Sequence, residues 1–229
     1  MRQNGSNKDA SVVVRTKAPK PRRQWIARPG ALAALENTLD FSLVLIAAPA
    51  GYGKTALASQ FAASRPSLCA WLTLTAEERD PAALATMIRQ SVLAIRPELS
   101  KREPAASEEA LPTAQTLLSL LSTEETAPLV LILDDLQLLD DAPQSIELIY
   151  ALARSAPDGV TILALSRALP RVLPDRLVAR QQATILGTSI LKFQEDEARE
   201  LIARLRGVVP ELVSLDDVSH ALAETEGWP

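Results

Sequence analysis

Two kinds of segment alternate along the chain. Runs without a polar face (Ser42-Leu43-Val44-Leu45-Ile46-Ala47, Leu68 to Leu74, Leu129 to Leu133 and Val160 to Leu165) read as strands covered on both sides, as in a parallel sheet. Between them, helices are predicted over Gly30 to Asn37, Thr55 to Ala63, Pro81 to Ile95, Thr113 to Leu121 and Asp141 to Ser155. Pro81 suits a first helical turn, where a missing N–H costs nothing. Alternation of this kind predicts an α/β fold: a parallel, doubly wound sheet sandwiched by helices. Pro97 to Pro112, polar and broken by Pro104, reads as an exposed loop.

After about residue 188 the pattern changes. Glu195 to Leu205 places Ala198, Leu201, Ile202 and Leu205 on one helical stripe, and Ser214-Leu215-Asp216-Asp217 is a capping box opening a last helix toward Glu224. The division expected is a flexible leader over residues 1–15, a main domain over 16–188 and a small helical lid over 189–229.

Composition narrows the function classes. With 229 residues, 47% hydrophobic and 23% charged, the chain can build one core of ordinary globular character, while 3% aromatics are too few for stacking on single-stranded nucleic acid. The net charge of −4 conceals a basic start: Arg2, Lys8, Arg15, Lys17, Lys20, Arg22 and Arg23 face only Asp9, so the body after residue 23 carries −10. An acidic body argues against direct DNA binding by this domain. There is no apolar signal region, and no apolar run is long enough to span a bilayer; the expectation is no membrane partner and a cytoplasmic location. Cys69, in the apolar stretch Ser67-Leu68-Cys69-Ala70-Trp71, reads as a buried reduced thiol, and His220 as an incidental helix residue.

The chemistry concentrates at strand ends. Ala48-Pro49-Ala50-Gly51-Tyr52-Gly53-Lys54-Thr55 follows one strand and opens a helix, the setting of a phosphate loop. Glycines let backbone N–H groups converge on phosphate, and the helix adds its positive dipole end. In that reading Ala50, Gly51, Tyr52, Gly53, Lys54 and Thr55 cradle a nucleotide, Lys54 reaches the β- and γ-phosphates, and the Thr55 hydroxyl ligates Mg²⁺. The strict pattern starts with glycine; Ala48 fits there if its φ stays negative. The bland alternative is an ordinary glycine-containing turn. Next, Leu129 to Leu133 delivers Asp134 and Asp135 to the sheet edge. Asp134 would hold Mg²⁺ and Asp135 would orient an attacking water, unless the pair merely caps the next segment. Arg167, after Ser166 at another strand tip, could sense a γ-phosphate or could be a surface arginine.

Several segments in order carry a resemblance. They are Thr16-Lys17 with Ile26-Ala27-Arg28-Pro29, Ala47 to Thr55, Ala70-Trp71-Leu72, Leu131 to Asp135, Leu165-Ser166-Arg167 with Leu173-Pro174, Phe193 with Glu195 and Glu197-Ala198, and Thr225-Glu226-Gly227-Trp228-Pro229. Together they resemble the N-terminal ATPase domain of the MalT-like, LuxR-type large regulators, of the STAND class of P-loop switch NTPases. The resemblance implies an ASCE, AAA-like sheet with the Arg167 strand between those of the phosphate loop (Walker A) and of Asp134 (Walker B). It implies ATP and ADP with Mg²⁺ as ligands, Arg28 near the adenine, and Pro229 in a Gly-x-Pro element touching nucleotide from the lid. It also implies self-association when ATP is bound, and slow hydrolysis that resets the switch. Where the family often has Tyr-His after its paired aspartates, this chain has Leu136-Gln137, which puts details of the hydrolytic site in question. Family members continue into further domains, including the DNA-binding one, so an inducer would act through segments absent here, and this chain is expected to be a fragment or a truncation.

The function expected is an ATP-binding, slowly ATP-hydrolysing module of a signal-responsive transcriptional regulator. Its rivals are an AAA-type motor, a nucleotide-binding scaffold without turnover, and a P-loop kinase. The motor needs ring assembly, the scaffold is told apart by the effect of Asp135 on hydrolysis, and the kinase needs an Arg-rich lid that the sequence lacks.

Overall fold

The computed structural model describes residues 14–22, 25–102, 114–121, 128–172, 174–225 and 227. Its centre is a parallel sheet of β1 (Leu43–Ala47), β2 (Cys69–Thr73), β3 (Leu129–Asp134), β4 (Val160–Ser166) and β5 (Ala183–Leu186), in spatial order β2-β3-β4-β1-β5. β3 and β4 are buried at every position, as their unbroken apolar sequence requires. The strand leading to Arg167 lies between those carrying the phosphate loop and Asp134, the order the resemblance implied.

One layer of helices, α1 (Pro29–Glu36) and α2 (Lys54–Ser64), packs Leu35, Leu57 and Phe61 against Val44, Ile46, Trp71, Ile132 and Leu163. The opposite layer contains α3 (Pro81–Ile95), α4 (Ala114–Leu121) and α5 (Pro143–Arg154), with Leu84, Ile88, Leu117 and Ile146 over Leu45, Leu72, Leu131 and Ile162. Local chemistry sets the starts: the Asp80 carboxylate accepts the Ala82 N–H at 3.2 Å at the head of α3, and α1, α3 and α5 have proline in the first turn. Cys69 is buried, as expected, and desolvation pushes its thiol up to about 11.

Three expectations need correction. Pro97–Arg102, expected as exposed loop, is a 3-10 turn that buries Leu99; residues 103–112 lie outside the described residues. The leader expected through residue 15 ends sooner, because Arg15 is anchored: its guanidinium pairs with Glu77 and with the buried Glu78 and donates to the Thr73 carbonyl at 3.3 Å. Leu205, expected on the apolar stripe of its helix, is 77% exposed. The reason is the thinness of the lid. Helix α7 (Glu195–Arg206) meets α8 (Leu215–Thr225) around Ala198, Ala203 and Val218, with Val213 before α8, and Leu205 borders the open cleft between the two helices beside Arg206, Asp217 and His220. Short α6 (Asp175–Ala179) and strand β5 have no counterpart among the expected elements.

Helix α7 and the segment leading into it are tied to the start of α1 by Arg28. Its Nε lies 3.0 Å from a Glu197 carboxylate oxygen, and its Nη2 donates to the carbonyls of Leu191 and Lys192, both at 2.9 Å. The guanidinium also stands 4.7 Å from the Phe193 ring centre. Glu197 in turn accepts the Gln194 N–H at 3.0 Å, so one carboxylate both caps α7 and holds the arginine. Both side chains are buried, and removal of one strands the charge of the other. Arg28→Ala is expected to cost about 3–5 kcal/mol in urea unfolding, against clearly less for Arg28→Met combined with Glu197→Leu. Equal losses would mean that the stranded charge is not what the single change exposes.

Candidate functional site

Parallel register brings the chemistry to one sheet edge. Ala47 pairs with Ser166, and Thr73 with Asp134, so the loop after β1 and the tips of β3 and β4 end at one level. Between them is a cavity of about 300 Å³, bordered by Gly51, Gly53, Lys54, Thr55, Asp134, Asp135, Gln137 and Arg167. Ala50 lines it too, whereas Tyr52 packs against the α1–α2 core layer.

The loop has the shape its sequence demanded. Gly51 and Gly53 have φ of 89° and 76°, left-handed values that a side chain would resist, and Gly53 is the residue from which α2 starts. Ala48 is not among the described residues with positive φ, so its methyl is tolerated where the strict motif has glycine. Lys54, buried at the first position of α2, donates through Nζ to the Ala48 carbonyl at 2.6 Å and the Pro49 carbonyl at 2.8 Å. Burial pulls its pKa below the ordinary lysine value, opposed by the charge of Asp134.

Thr55 and Asp134 meet. The Thr55 Oγ1 is 3.1 Å from each Asp134 carboxylate oxygen, and the Asp135 N–H donates to Asp134 Oδ1 at 3.1 Å. Burial, and then the charge of Asp135, push the Asp134 carboxyl above its ordinary value, against the pull of these hydrogen bonds. A hydroxyl beside a buried carboxylate is a hard-oxygen donor pair of the kind Mg²⁺ takes when phosphates and water complete its shell. Among the described residues no cluster of three or more His, Cys, Asp or Glu offers a full protein cage. The residues therefore fit a phosphate-shared Mg²⁺.

Asp135 is held in an uncommon conformation, φ 64° and ψ 40°, which costs a non-glycine residue roughly 1 kcal/mol. From there a 3-10 turn, Leu136–Leu139, begins, pinned by the buried Leu136 and Leu139. Gln137, between them in sequence, donates from Nε2 to Asp135 Oδ1 at 2.7 Å and accepts the Arg167 N–H on Oε1 at 3.1 Å. The Arg167 guanidinium is exposed, 3.8 Å from Asp135 Oδ1.

Arg28 does not line this cavity. It borders a separate cleft of about 240 Å³ between α1 and the start of the lid, formed with Gly30, Ala31, Ile190, Lys192 and Gln194. Its backbone is linked to the phosphate-loop helix, because Gln60 of α2 accepts the Arg28 N–H at 3.3 Å and donates to the Ile26 carbonyl at 2.9 Å. Pro229 lies outside the described residues; Gly227, two residues earlier, accepts the Phe193 N–H at 2.9 Å. Gln60 and Gln137 escape a reading of the sequence. Only the position of Gln137, directly after the paired aspartates and its neighbour Leu136, offers a signal.

Comparison with known proteins agrees with this fold. Residues 24–165 match the family described as AAA ATPase domain. The chain is 31% identical over 224 residues to the HTH-type transcriptional regulator MalT of Yersinia enterocolitica, covering 95% of this chain and 24% of that protein. It is likewise 31% identical over 195 residues to MalT of Cronobacter sakazakii, covering 82% of this chain and 21% of that protein. The chain thus spans about a quarter of the length of these curated relatives. In structure it resembles a Walker-type ATPase of Pyrococcus abyssi, with a TM-score of 0.57 and 16% identity over 92% of this chain and 67% of the other. It also resembles the Aeropyrum pernix ORC1 protein, solved in complex with DNA, with a TM-score of 0.51 and 19% identity over 88% of this chain and 55% of the other. At such identities the likeness concerns the fold: a P-loop ATPase sheet flanked by helices.

The raised Asp134 value has a sign that can be measured. The unfolded chain gives up this proton at lower pH than the folded one, so the contribution of Asp134 favours folding in acid and is lost as pH rises through the folded value. Asp134→Asn, of nearly the same shape, is expected to stabilise the ligand-free protein at pH 7, with the gain gone by about pH 3. Urea unfolding at the two pH values decides it; an equal gain at both would exclude titration as the source.

Proposed function

This chain belongs to the AAA ATPase domain family, and from that premise we propose that it is an ATP/ADP switch module of a signal-responsive transcriptional regulator. The observation that carries the reading is the convergence of Lys54, Thr55 with Asp134, Asp135 and Arg167 on one cavity at the sheet edge. Resemblance along 95% of the chain to regulators of the MalT type supports the regulatory half.

Each residue then has a task. Backbone N–H groups from Gly51 to Thr55 and the dipole of α2 receive the phosphates. Lys54 exchanges its two loop carbonyls for β- and γ-phosphate oxygens, so the loop that now solvates the ammonium hands it to the ligand. Thr55 and Asp134 would hold Mg²⁺, which supplies neutralisation of phosphate charge when bound. Asp135 orients a water whose oxygen attacks the γ-phosphorus; the bond to the β–γ bridging oxygen breaks, ADP departs, and the water proton ends on phosphate. Arg167, exposed beside Asp135, meets the γ-phosphoryl charge.

The base is taken up on the side of Ile26 to Arg28, whose backbone Gln60 links to α2. Because the Arg28 guanidinium is committed to the lid, its part in binding is borne by the backbone, and nucleotide and lid position are coupled through this one residue. ATP favours self-association, hydrolysis resets it, and an inducer acts through other parts of a longer protein. DNA contact lies elsewhere too, since the body carrying this site is acidic. No helix among the described residues is long and apolar enough to cross a membrane.

Thermal unfolding with and without ATP·Mg²⁺ tests the reading. Nucleotide at a hundred times its dissociation constant should add about 2.7 kcal/mol to the folded state, and Lys54→Ala should abolish the gain. A cooperative melt that nucleotide leaves unmoved would overturn the proposal.

A further inference from the structure

We infer that Gln137 is a positioning residue of this site: its side-chain amide locks the Asp135 carboxylate and the backbone of Arg167 into one frame, so that the water-orienting group and the γ-phosphate sensor act as a unit. The inference rests on the ATPase reading of the cavity and adds to it a residue that the phosphate-loop and aspartate motifs do not contain.

The geometry is specific. A side-chain amide has one accepting and one donating end, and here both are used in the only sense that works. The carbonyl end accepts the Arg167 N–H, and the amino end faces a carboxylate. Reversal of the amide would set oxygen against carboxylate and N–H against N–H, so the two bonds fix the rotamer between them. Gln137 reaches this place because the turn that bears it is pinned by buried leucines on either side of it in sequence, Leu136 and Leu139. Asp135, from which the turn departs, is in the left-handed region, a conformation that persists only where neighbours hold it. The bond from Gln137 and the approach of Arg167 both fall on Oδ1, which leaves Oδ2 as the atom to meet water.

Connectivity makes this brace matter. β3 and β4 pair along Leu129 to Leu133 with Val160 to Ala164, and this ladder ends short of Asp135 and Arg167. Beyond that point β3 passes into the Leu136–Leu139 turn, and the Gln137 amide is a polar link between that turn and the residue that follows β4. Without it Asp135 and Arg167 keep their chain positions but lose their mutual placement. A direct role for Gln137 on the water is the competing use of an amide at such a position. That role is disfavoured here, because the two bonds fix the orientation of the amide and leave it a single N–H and a single lone pair.

The test compares wild type, Gln137→Ala, Arg167→Ala and the double variant. Binding of ADP and of a non-hydrolysable ATP analogue is measured first, and then steady-state turnover of ATP·Mg²⁺. Gln137→Ala is expected to leave ADP affinity and the melting temperature unchanged. It should weaken binding of the analogue about fivefold, raise KM for ATP to a similar extent, and lower kcat at least about tenfold. The double variant should be no worse than the poorer single one, since the residues form one unit. Independent, multiplying effects in the double variant would overturn the inference, as would wild-type discrimination and turnover in Gln137→Ala. A drop in melting temperature with equal losses for both nucleotides would do so too, because it would mark Gln137 as a merely structural contact. Wild-type protein that binds neither nucleotide would overturn the underlying ATPase reading itself, a result distinct from all of these.

Discussion

The site depends on one constraint, the parallel pairing of β4 between β3 and β1. Ile162 sits beside both Leu43 and Leu131, and Ala164 beside both Leu45 and Leu133. Because the three strands run in the same direction and are buried on both faces, none can slide by a residue without turning its side chains to the wrong layer. That fixed register sets the heights at which the phosphate loop, the paired aspartates and Arg167 emerge. Contacts of about 3 Å between Thr55 and Asp134 are then a consequence of hydrophobic packing several residues away.

The parts of this architecture that speak loudly in sequence are those with a periodic or compositional signature. The unbroken runs of β1, β3 and β4 could hardly be anything but central strands, and Gly51, Gly53, Lys54 and Thr55 announce a backbone curl before a helix. β5 stays hidden because it has four residues at the sheet edge, only Ala183 among them fully buried, so its pattern lacks the continuous apolar character of its neighbours. Gln60 and Gln137 are hidden for another reason. A glutamine that bridges two backbone segments has no partner spacing to read, and its contacts arise only once the layers are assembled. The Arg28–Glu197 pair is similar: each residue is ordinary in its own segment, and the burial that makes the pair consequential is a property of the docked lid.

Polar groups in this molecule are concentrated where two rigid parts must keep a defined relation. Arg28 joins the lid to the first helix, Arg15 joins the N-terminal segment to the end of β2 through Glu78, and Gln137 joins the tips of β3 and β4. The apolar layers supply cohesion without caring about small rotations. Directional bonds supply the angle. A switch needs both, since a cohesive body must remain intact while one relation inside it changes.

The strand order also bears on how the chain comes off the ribosome. β1 is made early, yet its hydrogen-bonded neighbours are β4 and β5, among the last strands to appear. At roughly 5–20 residues per second, on the order of ten seconds separate the synthesis of β1 from that of its first partner. Through that interval a fully apolar strand, followed directly by the glycine-rich loop, waits without its ladder. Premature release, or a stall before β4 is made, would leave an aggregation-prone nascent chain, and the phosphate loop, translated before the other elements that border its cavity, is among the last to acquire its shape.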